Sequence, residues 1–451
     1  MLEKESLKIL QQALEKLDAG FSTLPASGGS APQIQKMAEV LAATAERLYD
    51  NYPYFHPLYA GQMLKPPHPV ARLAYSLAQW INPNNHALDG GRASSAMEKE
   101  AVAELARMFG WTAHLGHLTG GGTMANLEAL WVAGQLAPGK VILASEQAHY
   151  THKRISGVLQ LRFEAVPCDL RARMDVVALE RRLAQGDVST VVATLGTTAT
   201  GSVDPLPEIL ELRRKYGFRV HADAAYGGYF GLAENLAEET RRSFARIGEV
   251  DSIVIDPHKH GLQPYGCGCI LFRDPALSRL YKHDSPATYF SSRELHLGEI
   301  SLECSRPGAS AVALWATQRL LPLEKNGEFA RGLESCRQAA LDFYGRLSQD
   351  ARFVVAFPPQ LDIVVFAPRA RSVSQASVLT RKIFDAAARR NLHLAVAELP
   401  VRFFAANLGD IHPDRLTLAC LRSVLMKPEH RDWLDRIWAT LTESANEVLG
   451  A

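Results

Sequence analysis

The sequence predicts an α/β fold with a mostly parallel sheet, and two features of the chain lead to this prediction. Through the middle of the chain, short runs rich in β-branched and apolar residues alternate with amphipathic helical segments. The 451 residues are 22% charged and 47% hydrophobic, which is ordinary globular composition and excludes disordered, collagen-like and coiled-coil proteins.

The first 60 residues are expected to form an N-terminal helical arm. Leucines recur at helical spacing over residues 2–18, and a second helical pattern covers 34–49. Residues 19–32 between them are rich in Gly, Ser, Pro and Ala, as in a linker. Such an arm has little core of its own, so we expect it to pack on another subunit or on the main domain.

Residues 61–320 are expected to form the large α/β domain. A helix over 70–80 precedes a stretch, 82–91, that reads as a loop, and Ser95 with Glu98 resembles a capping box that opens a helix ending near Phe109. The strands and helices that follow alternate. Strands are predicted at 141–145, 163–167, 190–196, 218–225, 251–256 and 268–273, and helices at 124–133, 174–184 and 205–216.

Residues 321–451 are expected to form a smaller α+β domain. A long helix that contains Trp315 begins after Gly308 and leads into it. Strands are predicted at 361–368, 392–399 and 416–421, and helices at 374–390 and 430–448.

Charge, hydropathy and cysteine content exclude several classes of protein. Lys and Arg number 49 against 48 Asp and Glu, so a dedicated nucleic-acid binder is not expected. No apolar run reaches the roughly 18 residues that cross a bilayer, and the N-terminus lacks a secretory signal, so we expect a soluble, cytoplasmic protein. The six cysteines do not form a disulfide framework. Neither the pair Cys267 and Cys269 nor the pair His149 and His152 has further ligands at suitable spacing, so no metal site is expected.

Four features fall at strand ends or helix starts, where α/β proteins bind ligands. The glycine run 120–122 opens a helix, where backbone N–H groups favour an anion. His149, Asp223 and Lys259 each follow or end a predicted strand. Alone, each has an ordinary structural explanation. Together they supply a phosphate cradle, a stacking imidazole, a carboxylate for a protonated ring nitrogen and a nucleophilic amine, which are the requirements of pyridoxal 5′-phosphate (PLP).

The sequence resembles the group II PLP-dependent amino-acid decarboxylases, and most nearly their tyrosine/aspartate branch. The resemblance extends over residues 51–315 and rests on the runs LTGGGTMANLEAL, SEQAHYTHK, ATLGTTATGSVDP, HADAAYGGYF, SIVIDPHKHGLQPYGCGCILFRD and LECSRPGASAVALW. It implies the fold-type I PLP-dependent transferase fold and a homodimer with its sites at the subunit interface.

The resemblance also implies residue roles. Lys259 would bind the aldehyde of PLP, Asp223 would hold the pyridine nitrogen, and His149 and Ala225 would flank the ring. Tyr289 would protonate Cα after carbon dioxide leaves. The remaining cofactor contacts would be Gly121, Gly122, Thr123, Thr198 and His258. One departure is His260, where animal aromatic decarboxylases usually have Trp.

The substrate remains open between aromatic amino acids, such as tyrosine, and acidic ones, such as aspartate or glutamate. Candidate substrate residues are Tyr54, Phe55, His56, His86 and Arg306. Three other functions also remain open: a carbon–carbon lyase similar to sphingosine-phosphate lyases, an aminotransferase, and a non-catalytic PLP-binding protein.

Overall fold

The computed structural model describes residues 4–25, 33–281 and 297–450. Within these ranges the larger sheet has seven strands. They are β1 (Leu115–Thr119), β2 (Val141–Ser145), β3 (Arg162–Val166), β4 (Val188–Thr194), β5 (Arg219–Asp223), β6 (Ser252–Ile255) and β7 (Gly268–Phe272).

The order of the strands in this sheet is β1-β7-β6-β5-β4-β2-β3. Strands β3, β2, β4, β5 and β6 are parallel, whereas β7 runs antiparallel to both of its neighbours. β2, β6 and β7 are buried along their whole length, which explains their continuous apolar sequences. The predicted α/β fold with a mostly parallel sheet is confirmed.

Thirteen α-helices lie in the described ranges. They are α1 (Lys4–Ala19), α2 (Ile34–Leu48), α3 (Pro69–Gln79), α4 (Leu88–Met108), α5 (Gly122–Leu136), α6 (Thr151–Val158), α7 (Val176–Leu183), α8 (Leu206–Tyr216), α9 (Glu238–Ala245), α10 (Gly308–Leu320), α11 (Glu328–Gln349), α12 (Val373–Arg389) and α13 (Leu434–Leu449). None of them is both long and apolar enough to cross a bilayer.

The predicted helical arm is present as α1 and α2, and neither helix contains a buried residue. Apolar side chains of both helices, including Leu7, Val40 and Leu41, are exposed. The arm therefore contributes almost nothing to the core of its own chain.

The smaller sheet has four antiparallel strands in the order β10-β11-β9-β8. They are β8 (Phe353–Val355), β9 (Ile363–Pro368), β10 (Ala395–Pro400) and β11 (Thr417–Val424). Side chains of α11, α12 and α13 pack with this sheet in one apolar cluster that includes Phe343, Phe366, Ile383 and Ile437. This matches the expected C-terminal α+β unit, although its predicted boundary at residue 321 stays a prediction.

Two local predictions are wrong. Residues 82–91 are not all loop, since α4 begins at Leu88 and is interrupted at Gly91, where the backbone is extended rather than helical. Because the helix starts before Ser95, Glu98 does not cap it. Glu98 is instead buried, and it accepts hydrogen bonds from the Asn85 side chain at 2.6 Å and from the Leu118 N–H at 3.0 Å.

The helix predicted to contain Trp315 is α10, and it is shorter than expected. α10 ends at Leu320, and Pro322 follows, which lacks the N–H that a continuing helix needs. α11 begins only at Glu328 and was not predicted as a separate element. β1 and β8 were also missed, because both are short and lack a distinctive alternation of apolar and polar residues.

Candidate active site

A cavity of about 510 Å³ lies beyond the carboxyl ends of the central strands. All nine residues predicted to bind the cofactor line it: Gly121, Gly122, Thr123, His149, Thr198, Asp223, Ala225, His258 and Lys259. The neighbouring strands β5 and β6 explain this gathering. Asp223, the last residue of β5, is in register with Val254 of β6, and Lys259 follows four residues after the end of β6.

The glycine run forms the turn between β1 and α5. Gly121 has a φ of 148°, a conformation that side chains disfavour, and it immediately precedes the first residue of α5. A Cβ at Gly122 would lie 2.7 Å from Oδ2 of Asp256, so no side chain fits there. The N–H groups of Gly122 and Thr123, the first two of α5, have no acceptor within the helix, and they therefore face a site that an anionic group can approach closely.

Asp223 is a buried carboxylate held by three hydrogen bonds. Its Oδ2 pairs with Nε2 of His152 at 2.8 Å and accepts from the Asn126 amide at 3.3 Å, while Oδ1 accepts from the Ala225 N–H at 3.2 Å. Burial opposes ionisation of Asp223, but the hydrogen bond from His152 and the positive charges of His152 and Lys259 outweigh it. The pKa of Asp223 therefore lies well below its usual range. The cavity thus contains a fixed negative charge.

His221 orients the Asn126 amide toward Asp223. Burial lowers the pKa of His221 to about 3, so the ring is neutral and has one N–H. His221 Nε2 lies 2.9 Å from Asn126 Oδ1, and His221 Nδ1 lies 2.8 Å from the Ser252 hydroxyl. When Nε2 donates to Oδ1, the NH₂ group of Asn126 is left to face the carboxylate of Asp223.

Lys259 reaches the cavity from the loop after β6. Its Nζ lies 3.0 Å from Oδ2 of Asp256, and Nε2 of His258 lies 3.4 Å from the same oxygen. The Lys259 side chain is 20% exposed, whereas Asp256 is buried at the end of the sheet. Asp256 therefore fixes the position of the amine while leaving it accessible to a ligand.

His149 is half-buried at the cavity wall. Its Nδ1 lies 2.7 Å from the Thr151 hydroxyl, which fixes the orientation of the ring. Burial is the largest influence on its pKa and lowers it. A neutral imidazole held in this way suits contact with a flat aromatic ring.

Buried polar atoms without a hydrogen-bond partner test whether the cavity suits PLP. Among the described residues, Thr194 Oγ1, Asp256 Oδ1 and His258 Nδ1 are buried at this cavity and have no such partner. Unpaired buried polar atoms are costly, so three of them around one cavity indicate a polar ligand. The helix start, the carboxylate of Asp223 and the amine of Lys259 match the phosphate, ring nitrogen and aldehyde of PLP.

None of the candidate substrate residues, Tyr54, Phe55, His56, His86 and Arg306, is among the described residues that line this cavity. Tyr54 packs on Tyr59, the His56 ring packs on Trp433, and Phe55 lines a different cavity. His86 is half-buried near Gly90 and Gly298, and it does not line the site. Tyr289 lies outside the described residues.

Arg306 is not placed as a free substrate-binding cation. Its Nη1 lies 2.8 Å from Oε1 of Glu98, both side chains are buried, and Arg306 also donates to the Leu118 carbonyl. A guanidinium already neutralised by a buried carboxylate has little charge left for a substrate, so the arrangement does not support that expectation.

Several residues of the site were not predicted. His152, Asn126 and Asp256 position Asp223 and Lys259, and Thr194 lines the cavity. His152 was considered only as a metal ligand. Asp256 stands in the DPHK run beside Lys259, so its position after a strand was a usable signal.

Substitutions at two glycines test whether the turn at Gly121 and Gly122 holds the phosphate of PLP. We expect Gly122→Ala to weaken PLP binding by about 5- to 150-fold, because overpacking costs about 1–3 kcal/mol and here displaces Asp256. Gly157→Ala is the control, since a Cβ at this exposed helical position meets no atom within 4 Å. Titration of PLP into apo-protein, followed by visible absorbance, measures the PLP affinity of both variants. Equal affinities would show that the turn at Gly121 and Gly122 does not hold the phosphate.

Comparison with known protein families agrees with this geometry. The model of the pyridoxal-dependent decarboxylase conserved domain matches residues 128–369. L-tyrosine decarboxylase of Enterococcus faecium is 31% identical in an alignment 392 residues long, and the match covers 64% of this chain and 64% of that protein. A probable L-tyrosine/L-aspartate decarboxylase of Methanothermobacter thermautotrophicus is 30% identical over 310 residues, which cover 68% of this chain and 82% of the relative.

Solved structures show the same fold. Mouse CSAD in its apo form superposes with a TM-score of 0.79 at 19% identity, covering 98% of this chain and 99% of that one. Catharanthus roseus tryptophan decarboxylase, solved with L-tryptophan, gives a TM-score of 0.75 at 17% identity and covers 99% of both chains. The predicted fold-type I architecture is thereby confirmed.

The family model alone spans more than half of the chain. The chain therefore belongs to the pyridoxal-dependent decarboxylase family, as its sequence resemblance predicts, which confirms the predicted cofactor, PLP, and the predicted reaction, decarboxylation of an amino acid.

Proposed function

We propose that the protein decarboxylates an L-amino acid with an uncharged aromatic side chain, such as tyrosine. The choice of an aromatic substrate over an acidic one rests on the charges of the residues that line the cavity. Among the described residues that line the cavity there is no arginine, and the only lysine is Lys259. Glu303 adds a carboxylate, which accepts a hydrogen bond from the Gly120 N–H at 3.0 Å. An acidic side chain would meet repulsion there and find no cation of its own.

In this proposal the residues of the chain bind and orient PLP and polarise its ring. When bound, PLP supplies a conjugated ring that accepts the electrons of the breaking bond between Cα and the carboxylate. Lys259 would hold the aldehyde carbon, and Asp256 is the carboxylate within reach of the Lys259 proton. Asp223, ionised and buried, would keep the ring nitrogen protonated. The network of His152, Asn126 and His221 holds Asp223 still, so little reorganisation is needed during the reaction.

We infer that Arg422 of β11 attracts the α-carboxylate of the substrate. Its guanidinium donates to the carbonyls of Thr198 at 2.7 Å and of Ala199 at 3.1 Å, and Thr198 lines the cavity. Arg422 is buried, and no carboxylate of the described residues lies within salt-bridge distance of it, in contrast to Arg306. A buried cation without a counter-ion is energetically costly, so a cation in this position beside the site favours binding of an anionic group.

Replacement of Arg422 should separate substrate affinity from product affinity. We expect Arg422→Gln to weaken binding of the amino acid by about 10- to 150-fold, since a hydrogen bond to a charged group contributes about 1.5–3 kcal/mol. The product amine has no carboxylate, so its inhibition constant should change by less than about 3-fold. Steady-state kinetics with the amine as inhibitor measures both quantities.

Two further variants complete this experiment. Arg369→Gln is the matched control, because Arg369 likewise donates to two backbone carbonyls, those of Asn407 and Leu408, but it is exposed. Arg422→Lys keeps the charge and should recover part of the affinity. If the amine and the amino acid lose affinity equally, Arg422 is structural and the assignment is wrong.

The substrate proposal is tested by measuring carbon dioxide and amine from L-tyrosine and L-aspartate in parallel. We expect kcat/KM for tyrosine to exceed that for aspartate by at least about 10-fold, the equivalent of 1.4 kcal/mol. A preference for aspartate would reverse the choice. Keto-acid formation without carbon dioxide would instead favour an aminotransferase.

The quaternary structure is also proposed rather than shown. We propose a homodimer, because α1 and α2 leave their apolar side chains exposed on the single chain. Sedimentation analysis of the full chain and of a variant that lacks residues 1–50 tests whether the arm contributes to the dimer.

A further inference from the structure

A second cavity of about 510 Å³ lies apart from the active site and shares no lining residue with it. Residues 65–69, the first two turns of α11 and residues 427–429 enclose it. His260, the residue after Lys259, also lines this second cavity. Nothing in the proposed decarboxylation uses this space.

Two lysines supply positive charge to the second cavity. Lys427 is 3% exposed, and its Nζ donates to the carbonyls of Tyr59 at 2.6 Å and Leu64 at 3.3 Å. Nζ of Lys65, which is half-buried, donates to the carbonyl of Met426 at 3.3 Å. Each ammonium has three N–H groups, so these hydrogen bonds leave one on Lys427 and two on Lys65. The Nζ of Lys427 also lies 5.3 Å from the centre of the Tyr59 ring.

The charge of these ammonium groups is not balanced by a close ion pair. No carboxylate of the described residues lies within 4.0 Å of either Nζ. Burial, together with the neighbouring charge of Lys65, lowers the pKa of Lys427 to about 7. Glu328 and Glu429 also line the cavity, but both are exposed at its rim. Burial lowers the pKa of Lys65 as well, so the inner end is positive when these amines are protonated, a state that a bound anion favours. The exposed Glu328, Glu429 and Arg331 together leave the mouth with a net negative charge.

The remaining walls are mostly apolar, apart from His68, Arg331, Ser335 and the ring of His260. Leu262, Phe329 and Leu333 line the cavity beside four prolines, Pro66, Pro67, Pro69 and Pro428. The His260 ring is 1% exposed, and its Nδ1 has no hydrogen-bond partner among the described residues. A buried ring nitrogen without a partner offers one more hydrogen-bonding position to a ligand.

We propose that the second cavity is a binding site for a small monocarboxylate with an apolar body. The carboxylate lies at Lys65 and Lys427, and the apolar body lies against Phe329 and Leu262. The volume is that of an ordinary small-molecule site. Glu328 and Glu429 at the mouth disfavour ligands with several negative charges, which is why a single carboxylate fits better than a phosphate.

Calorimetric titration of the full-length holo-protein with phenylacetate tests this site, and phenylacetamide, of the same shape but uncharged, is the comparison ligand. We expect phenylacetate to bind at least about 10-fold more tightly than phenylacetamide. Lys427→Met should remove at least this 10-fold preference. Lys382→Met, which removes an exposed lysine of α12, should leave both affinities unchanged.

A second variant keeps the experiment decisive if Lys427→Met does not fold. Ser335→Trp places a large side chain at the cavity wall from a half-buried position of α11, and it should abolish phenylacetate binding. Binding that survives in Lys427→Met or Ser335→Trp but is lost in Arg422→Gln would place phenylacetate in the active site and reject the proposal. Equal affinity for the two ligands, or no binding up to about 10 mM, would also reject it. None of these results depends on which amino acid is decarboxylated.

Discussion

Lys259→Ala is expected to reduce decarboxylation by more than about 10³-fold and to remove the visible absorbance of the bound cofactor. The amine is the only lysine among the described residues that line the cavity, so no neighbouring group replaces it. The substitution leaves the buried carboxylate of Asp256 without its 3.0 Å partner, so some loss of stability is also expected.

Lys259→Arg separates the chemical effect of the change from the structural one. Arginine preserves a positive charge beside Asp256 but does not attach the cofactor's aldehyde, so activity should still be lost while the thermal stability returns toward that of the unaltered protein. Lys215→Ala is the surface control, because Lys215 pairs with Glu180 at 2.8 Å and is exposed. A yellow and active Lys259→Ala protein would contradict the assignment of the amine.

Asp223→Asn is expected to lower kcat by about 10²- to 10³-fold while the protein stays folded. Asparagine has the same shape, so its side-chain oxygen still accepts a hydrogen bond from His152 or from the Ala225 N–H. It lacks the negative charge, which the hydrogen bond from His152 and the nearby positive charge of Lys259 maintain in Asp223 at neutral pH against the effect of burial. The missing charge no longer keeps the ring nitrogen protonated.

Stopped-flow and steady-state measurements on Asp223→Asn, with near-ultraviolet circular dichroism as the test of folding, check this expectation. Asp187→Asn is the control, since Asp187 is a half-exposed partner of Arg182 and Arg162 at the protein surface. We expect its kcat to stay within about 2-fold of the unaltered value. An Asp223→Asn protein with full activity would show that the carboxylate is not needed.

The parts of the site that the sequence predicted are those set by local order along the chain. Asp223 ends an apolar strand, Lys259 follows the next one, and the glycine run precedes a helix. Because parallel strands bring their carboxyl ends to one edge, placing each residue at a strand end was enough to place them together.

The parts that the sequence did not predict depend on contacts between distant segments. His152 meets Asp223 across 71 residues of chain, and Asn126 meets it across 97. Arg306 looked like a free cation because its partner, Glu98, lies 208 residues away. Burial and pairing of charges are properties of the packed structure, so periodicity and motifs do not reveal them.

The path of residues 51–57 was also beyond sequence reasoning. Their aromatic rings suggested a substrate wall, a role that stays a prediction. Within the single chain Tyr52 and Tyr54 pack around Tyr59, and Tyr59 forms a bridge with His393. Those contacts join the N-terminal segment to the C-terminal part of the chain. An aromatic cluster has the same sequence signature whether it contacts a ligand or another part of the protein.

The order of strands in the larger sheet has a consequence for how the protein acquires its cofactor during folding. Gly121 follows β1 at one edge, and β7 must insert antiparallel between β1 and β6 before the glycine turn lies beside Asp256. This pairing joins segments far apart in the chain, which makes it a slow step of folding. The cofactor should then bind only after the sheet has formed. The rate at which the visible absorbance of bound PLP appears during refolding therefore measures completion of the sheet. Once captured, the ligand binds only the closed form and shifts the folding equilibrium toward it.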